Sequence, residues 1–214
     1  MVPPATNASC DAQFLAAFRT AFGSAPASFA QFMELALYHP ELGYYRQPRA
    51  RVGFAPESDF YTASSTGTVF GELVAAAAAR LLAPARAEDH AFVEIGAEPG
   101  GGVLAGVTHS FREVRNIRLG DETRIEGNCV VFSNELFDAQ PFHRLIYRDG
   151  TWRELGVALT SLAGQPDRLI EVELPGRTSA VSALHDRLPA EAEDGYRLDL
   201  PLAAEALCAR LARP

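Results

Sequence analysis

The chain has 214 residues, of which 48% are hydrophobic, and its 27 acidic and 19 basic residues give a formal net charge of −8. This composition is typical of a globular protein with one sizeable core and excludes a disordered chain. The acidic balance argues against a nucleic-acid backbone as the main partner, because no excess of positive charge is present to replace its counterions. All the basic residues are arginine, which excludes Schiff-base chemistry on a lysine.

The sequence also predicts the location of the protein and whether it binds a metal. No uncharged apolar run is long enough for a membrane span, and the first residues lack a signal-peptide pattern, so we expect a cytoplasmic protein without a membrane span. The three cysteines are far apart, and the five histidines form no ligand pair at helical spacing. We therefore expect no metal site.

The first ninety residues have helical patterns around one long loop. Apolar residues recur at helical spacing over 11–22, and a second helix is predicted over 28–40, with Ser28 as N-cap and Gln31 completing a capping box. A third helix is predicted over 68–84, and it is apolar on almost all sides, so we expect it to be buried. The segment 41–65 has no sustained period and many aromatics, which predicts an ordered, functional loop packed over a ligand site.

From residue 91 the pattern changes to strands. Buried strands are predicted at AFVEIG (91–96) and NCVVFSNE (128–135), with another strand within 112–121. Three alternating segments over 142–175 predict antiparallel strands, and two helical segments follow at 179–188 and 200–213. We therefore predict an N-terminal helical region with the functional loop over 1–90 and an α/β domain over 91–214, with a boundary near residue 90.

The glycine-rich stretch VEIGAEPGGGVL (93–104) follows the first of these strands. Glycines at a strand end let a backbone approach a nucleotide-like cofactor at the carboxyl edge of an α/β sheet. The spacing of Gly96 from Gly100 and Gly102 differs from the G-x-G-x-x-G pattern of dinucleotide-binding proteins, which disfavours a nicotinamide-dependent oxidoreductase. Taken alone, this stretch is compatible with a structural turn as well as with a cofactor loop.

A second polar strand end comes at SNELFDAQPF (133–142). Asn134, Glu135 and Asp138 follow the strand CVVF, and a capped helical turn would explain them equally well if they stood alone. Two parallel strands that end in polar residues form the crevice in which such folds bind ligands. We predict that the strand ends at Gly96 and Asn134 are neighbours on one edge of a parallel pair.

Four motifs, in this order along residues 28–142, resemble those of the MidA-like S-adenosylmethionine-dependent methyltransferases. SFAQFMELALYHPELGYY is similar to S-F-x-x-Y-M-x-x-x-L-Y-x-P-x-x-G-Y-Y, and SDFYTASSTGTVFGEL is similar to G-D-F-x-T-S-x-x-x-x-x-x-F-G-E-L. EIGAEPGGGVL resembles E-L-G-P-G-x-G-T-L, and SNELFDAQPF resembles A-N-E-F-F-D-A-x-P. The resemblance implies a Rossmann-like methyltransferase sheet, here incomplete, with an N-terminal helical region and an antiparallel β extension.

The resemblance also implies a cofactor, a substrate and roles for nine residues. The cofactor is S-adenosylmethionine, and the family includes a mitochondrial complex I assembly factor that methylates a protein arginine. A protein substrate is therefore implied, with a respiratory-complex subunit among the candidates. Cofactor-binding roles fall on Asp59, Thr62, Glu94, Gly96, Gly100 and Gly102, and catalytic roles fall on Asn134, Glu135 and Asp138. Asp121 is added as a cofactor-binding residue because it is an acidic residue at a strand end, at about the distance from the glycines at which dinucleotide-binding folds bind a ribose.

The chain also departs from the family pattern. The glycine loop is two residues longer, and the segment VLAGVTHSF that follows it is shorter than the usual helix. The family's acidic segment after the second strand is not recognisable, and the sequence ends at a helix where relatives continue with further strands of the sheet. Two hypotheses follow, namely an arginine methyltransferase and a catalytically silent relative that acts as a binding or assembly module. A homodimer, in which a second chain would complete the sheet, stays open.

Overall fold

The computed structural model describes residues 7–47, 59, 67–97, 101–123, 125–161 and 164–212. These residues form two compact units. Unit 1 contains residues 1–47 and 139–207, and unit 2 contains residues 48–138 and 208–214. The boundary predicted near residue 90 falls inside unit 2, where the helix over residues 68–81 packs against the strand over residues 91–95.

The described residues form five α-helices and eight strands. The helices are α1 (Asn7–Phe22), α2 (Phe29–Tyr38), α3 (Thr68–Leu81), α4 (Ser179–Ser182) and α5 (Leu202–Leu211). The strands are β1 (Ala27–Ser28), β2 (Ala91–Ile95), β3 (Glu113–Ile117), β4 (Cys129–Phe132), β5 (His143–Arg148), β6 (Thr151–Thr160), β7 (Arg168–Glu173) and β8 (Arg197–Leu200). Short 3-10 helices lie at Tyr44–Arg46, Ala87–Asp89 and His185–Arg187. No helix of the described ranges is long and apolar enough to cross a membrane.

Unit 1 is built around an antiparallel sheet. β6 is its central strand and pairs with β5, β7 and β1, while β8 pairs with β5 on the other side. Helix α2 begins where predicted, since the Gln31 amide N–H donates to Ser28 Oγ at 3.2 Å and the Ser28 N–H donates to Gln31 Oε1 at 2.9 Å. The three antiparallel strands predicted within 142–175 are confirmed as β5, β6 and β7.

Unit 2 is built around a parallel sheet in the order β3-β2-β4. All five residues of the central strand β2 are buried, because α3 and the segment 103–111 cover one face and a smaller apolar cluster covers the other. The edge strand β4 is only half-buried, with Val131 38% exposed. The predicted strand is present, but the prediction that it is buried is wrong. Among the described residues, β4 pairs with a neighbouring strand on one side only.

Helix α3 differs from the prediction of burial on nearly all sides. Gly71, Ala75 and Ala78 face the core, and Gly71 lies so close to the Val103 carbonyl that a side chain there would overlap it. Val69 and Leu73 on the other face are 59% and 64% exposed. Phe70 and Val74 pack beside the small residues, so α3 has a packed face and an exposed face although both are apolar.

Two C-terminal features also differ from the predictions. The helix predicted over 179–188 ends at Ser182 and continues only as a 3-10 turn. The strand β8, which the sequence analysis missed, precedes the last helix and extends the antiparallel sheet next to β5.

Candidate functional site

The carboxyl ends of the three parallel strands meet at one edge of the sheet in unit 2. Glu94 of β2 is in register with Asn116 of β3 on one side and with Phe132 of β4 on the other. Gly96 and Asn134 therefore follow neighbouring parallel strands on the same edge, as predicted. This edge is the place where open α/β sheets bind their ligands.

Gly96 turns the chain away from the end of β2. Its φ of +81° is in the region that favours glycine, and its amide N–H donates to the Ile117 carbonyl of β3 at 2.8 Å. The side chain of Leu136 covers it, with Cδ1 3.0 Å from the point that a Cβ on Gly96 would occupy. Leu136 therefore anchors the segment after β4 to the glycine turn.

The Glu94 carboxylate is hydrogen-bonded to the backbone at the end of the glycine stretch. Its residue is 7% exposed, and its Oε2 accepts the Val103 amide N–H at 2.6 Å. Burial raises the pKa of the Glu94 carboxyl above its ordinary value, and the hydrogen bond from Val103 opposes the rise. In this structure Glu94 therefore fixes the end of the glycine stretch at Val103.

Gly102 is a glycine because two side chains occupy the space beside it. A methyl group there would overlap Glu94 Oε2 and Asn116 Oδ1. The loop therefore packs directly on the strands at this point. Sequence reasoning missed Asn116, although a polar residue in an otherwise strand-like segment is a detectable signal.

The segment after β3 places Asp121 at the same edge. Asp121 Oδ2 accepts the Arg118 amide N–H at 2.9 Å, and the Asp121 N–H donates to the Arg118 carbonyl at 3.0 Å. Gly120, with φ of +98°, completes this turn. One carboxylate oxygen of Asp121 closes the turn, and the residue remains exposed at the strand end.

The segment after β4 carries the three predicted catalytic residues. Asn134 is part-buried, whereas Glu135 and Asp138 are exposed. Glu135 has φ of +49°, a conformation that costs a non-glycine residue energy and that recurs at functional sites. The described residues around Glu135 form bends and a turn rather than a helix, so Glu135 does not cap a helix.

Three predicted cofactor residues come from the long loop and the middle of the glycine stretch. Thr62 and Gly100 lie outside the described residues, as do residues 48–58 of the predicted functional loop. Asp59 is described and exposed. Its place beside the cofactor stays a prediction.

The connection from β2 to β3 contains no α-helix in its described part. After Gly102 the chain makes two successive turns, with hydrogen bonds from the Ala105 N–H to the Gly102 carbonyl at 2.9 Å and from the Val107 N–H to the Leu104 carbonyl at 3.1 Å. Val103, Leu104 and Val107 nevertheless pack against α3 and the sheet. The shortened segment therefore replaces the packing of a helix without forming one.

The charge at this edge decides which ligands fit. Around the carboxyl ends of the three strands, the described residues include the carboxylates of Asp121, Glu122, Glu135 and Asp138 and the guanidinium of Arg118. A pyrophosphate would be repelled here, whereas a cofactor with a sulfonium and an ammonium group suits this charge. Among the described residues, no group of three or more His, Cys, Asp or Glu side chains could hold a metal ion.

Comparison with known proteins agrees with the fold and identifies the family. Residues 74–214, more than half of the chain, match the model of a family described as "Putative S-adenosyl-L-methionine-dependent methyltransferase". The chain belongs to this family, whose cofactor is S-adenosylmethionine. The search of curated proteins found no match.

Two solved structures from Burkholderia thailandensis share the fold. One is bound to S-adenosyl-homocysteine and is 23% identical, with a TM-score of 0.76. The other is a native crystal structure of an uncharacterized protein of the same superfamily, 21% identical, with a TM-score of 0.71. Both alignments cover 99% of this chain but only 62% and 60% of the solved chains, so this chain spans less than two thirds of their length.

Proposed function

We propose that the protein is a MidA-like methyltransferase that transfers a methyl group from S-adenosylmethionine to an arginine side chain of a protein. The observation that carries the proposal is the contact between Leu136 and Gly96, since it joins the acidic segment 134–138 to the glycine turn. The family supplies the cofactor class. The acidic edge supplies the preference for a cationic substrate.

Each group at the edge has a task in this reaction. When bound, S-adenosylmethionine supplies an activated methyl group on its sulfonium sulfur. A guanidinium nitrogen of the substrate forms the new bond to the methyl carbon, and the sulfur leaves with the electron pair of the broken bond. Glu135 and Asp138 hold the guanidinium N–H groups and accept the proton that the nitrogen loses, while Asn134 orients the substrate beside them.

In our proposal the cofactor lies at the ends of β2 and β3. Gly96 and Gly102 shape the loop, Glu94 fixes it through Val103, and Asp121 offers its second carboxylate oxygen to the ribose hydroxyls. Asp59, Thr62 and Gly100 complete this set in our proposal. A cytoplasmic location, a homodimer and a respiratory-complex subunit as substrate stay predictions.

Titration calorimetry tests the proposal in its first step. We expect the protein to bind S-adenosyl-homocysteine and S-adenosylmethionine but not NAD. Incubation with an arginine peptide and methyl-labelled cofactor should then transfer label to the peptide and not to its citrulline counterpart. Binding of NAD alone, or of none of the three cofactors, would contradict the proposal.

A second candidate is a catalytically silent relative that acts as a binding or assembly module. The close packing of Gly102 on Glu94 and Asn116 and the turns that replace the crossover helix favour it. Binding of S-adenosyl-homocysteine without any methyl transfer to arginine peptides or to candidate protein substrates would select this module.

A further inference from the structure

Phe137 is a large aromatic residue left exposed in the middle of the proposed substrate segment. Its exposed fraction is 38%, and it lies between the exposed carboxylates Glu135 and Asp138. The preceding residue, Leu136, is the one whose side chain covers Gly96. The segment therefore keeps one apolar side chain for packing and leaves the other available to a ligand.

The same chain shows how phenyl rings and a carboxylate hold a guanidinium. In unit 1 the Arg144 Cζ lies 4.4 Å from the ring centroid of Phe29 and 5.0 Å from that of Phe142. The Arg144 Nε and Nη2 donate to the two carboxylate oxygens of Asp199 at 2.8 and 2.9 Å. The negative ring faces attract the flat cation, and the carboxylate takes the N–H groups at its edge.

We infer that Phe137 is a specificity-determining residue that stacks on the cationic side chain of the substrate. The phenyl face receives the plane of the guanidinium, while Glu135 and Asp138 accept hydrogen bonds from its edge. This inference rests on the proposed function and deepens it. It assigns to the Phe137 ring the preference for a planar cation, such as arginine, over a neutral side chain of the same shape, such as citrulline. The ligand class is an arginine side chain in a flexible peptide segment.

A peptide-binding measurement with the full chain tests this role without relying on turnover. The probes are acetyl-Gly-Gly-Arg-Gly-Gly-amide and its citrulline counterpart, titrated by nuclear magnetic resonance in the presence of saturating S-adenosyl-homocysteine. Phe137→Leu should weaken binding of the arginine peptide about three- to ten-fold, and Phe137→Trp should strengthen it, because indole has the best ring face for a cation. Binding of the citrulline peptide should be weak and equal in all variants.

The controls separate this inference from the function on which it rests. Leu81→Ala removes an apolar side chain of unit 2 that is 87% exposed, and it should leave peptide affinity unchanged. The affinity for S-adenosyl-homocysteine should be the same in wild type and all variants. If the wild type, Phe137→Trp and Phe137→Leu bind the arginine peptide with equal affinity, the role of Phe137 is overturned, and methyl transfer to the arginine peptide then decides whether the proposed function stands. If the wild type binds no S-adenosyl-homocysteine, the proposed function itself fails.

Discussion

Leu136 lies across Gly96, with its Cδ1 3.0 Å from the point that a Cβ on the glycine would occupy. The contact joins the loop after β4 to the end of β2, two segments that are forty residues apart in the chain. The contact links the two strand ends directly, which the sequence does not specify. The same contact is therefore the most direct target for a test of the site.

Leu136→Ala should lower turnover at least ten-fold without changing any charged group, because the acidic segment loses its anchor to the glycine turn. The cost in unfolding free energy should be about 1–2 kcal/mol, less than for a fully buried leucine because Leu136 is part-buried. Urea unfolding and a methylation assay measure the two effects. Leu119→Ala, at an exposed leucine after β3, is the control, and equal turnover in both variants would show that the anchor has no role.

Glu135→Gln should lower turnover about 100-fold or more, because the proton acceptor and one charge on the guanidinium are lost together. The affinity for S-adenosyl-homocysteine should stay nearly unchanged, because the carboxylate acts on the substrate. Glu122→Gln, at another exposed carboxylate of the same edge, is the matched control. A Glu135→Gln enzyme with the wild-type rate would transfer the assignment to Asp138.

Glu94→Gln should change how stability depends on pH. Burial raises the pKa of the folded-state carboxyl above the ordinary value of 4.5, so the stability from this group is full below that value and is lost as pH rises through the folded-state pKa. The glutamine Oε1 can still accept the Val103 N–H. We expect the variant to be at least as stable as the wild type at neutral pH and to lack this decline. If the unfolding free energies of the wild type and of Glu94→Gln depend on pH with the same slope, this prediction is wrong.

Gly102→Ala should destabilise unit 2 and weaken cofactor binding, because its methyl group overlaps Glu94 Oε2 and Asn116 Oδ1. We expect a cost of about 1–3 kcal/mol, the usual range for overpacking. Gly176→Ala is the control, since no atom lies within 4 Å of the corresponding Cβ position. Thermal unfolding and calorimetry measure both effects, and identical behaviour of the two variants would show that the loop is not packed on the strands.

Glu154→Ala should destabilise the antiparallel sheet by about 3 kcal/mol or more, since it breaks a buried polar network. The fully buried Glu154 carboxylate lies 2.8 Å from His143 Nδ1 and accepts the Thr178 N–H at 2.6 Å and the Thr178 hydroxyl at 3.1 Å. Glu171→Ala, which removes an exposed ion pair with Arg197, should cost less than about 1 kcal/mol. Urea unfolding should separate the two variants, and equal midpoints would refute the role of the network.

The sequence predicts the elements with strong periodicity and clear caps. The capping box of Ser28 and Gln31, the buried run FVEI and the alternating strands after residue 142 are each visible because a local rule fixes them. β8 is missed because its alternation is short and lies between turn residues. The exposure of α3 is missed because a helix apolar on all sides does not show which face has a neighbour.

From the sequence, the candidate site can be predicted only where its residues follow the ends of recognisable strands. Gly96 and Asn134 are found because a buried parallel strand must end where polar or glycine residues begin, whereas Glu94, inside β2, is assigned through the family resemblance. The roles of Asn116, Leu136 and Phe137 depend on contacts between distant segments, which no local pattern specifies. The positive φ of Glu135 is likewise set by the turn in which it lies.

The order of the units along the chain has a consequence for biosynthesis. β1 pairs with β6, so Ala27 must find Val157 after the whole stretch 48–138 has been made. During synthesis from the N-terminus, at about 5–20 residues per second, the helices α1 and α2 leave the ribosome several seconds before their sheet exists. Phe18 and Phe22, which end up against that sheet, are exposed throughout this interval. We expect the nascent chain to depend on chaperones at this stage. A circular permutant that begins at residue 139, runs to residue 214 and continues with residues 1–138 should not show this dependence, because the segments of unit 1 are then made one after the other.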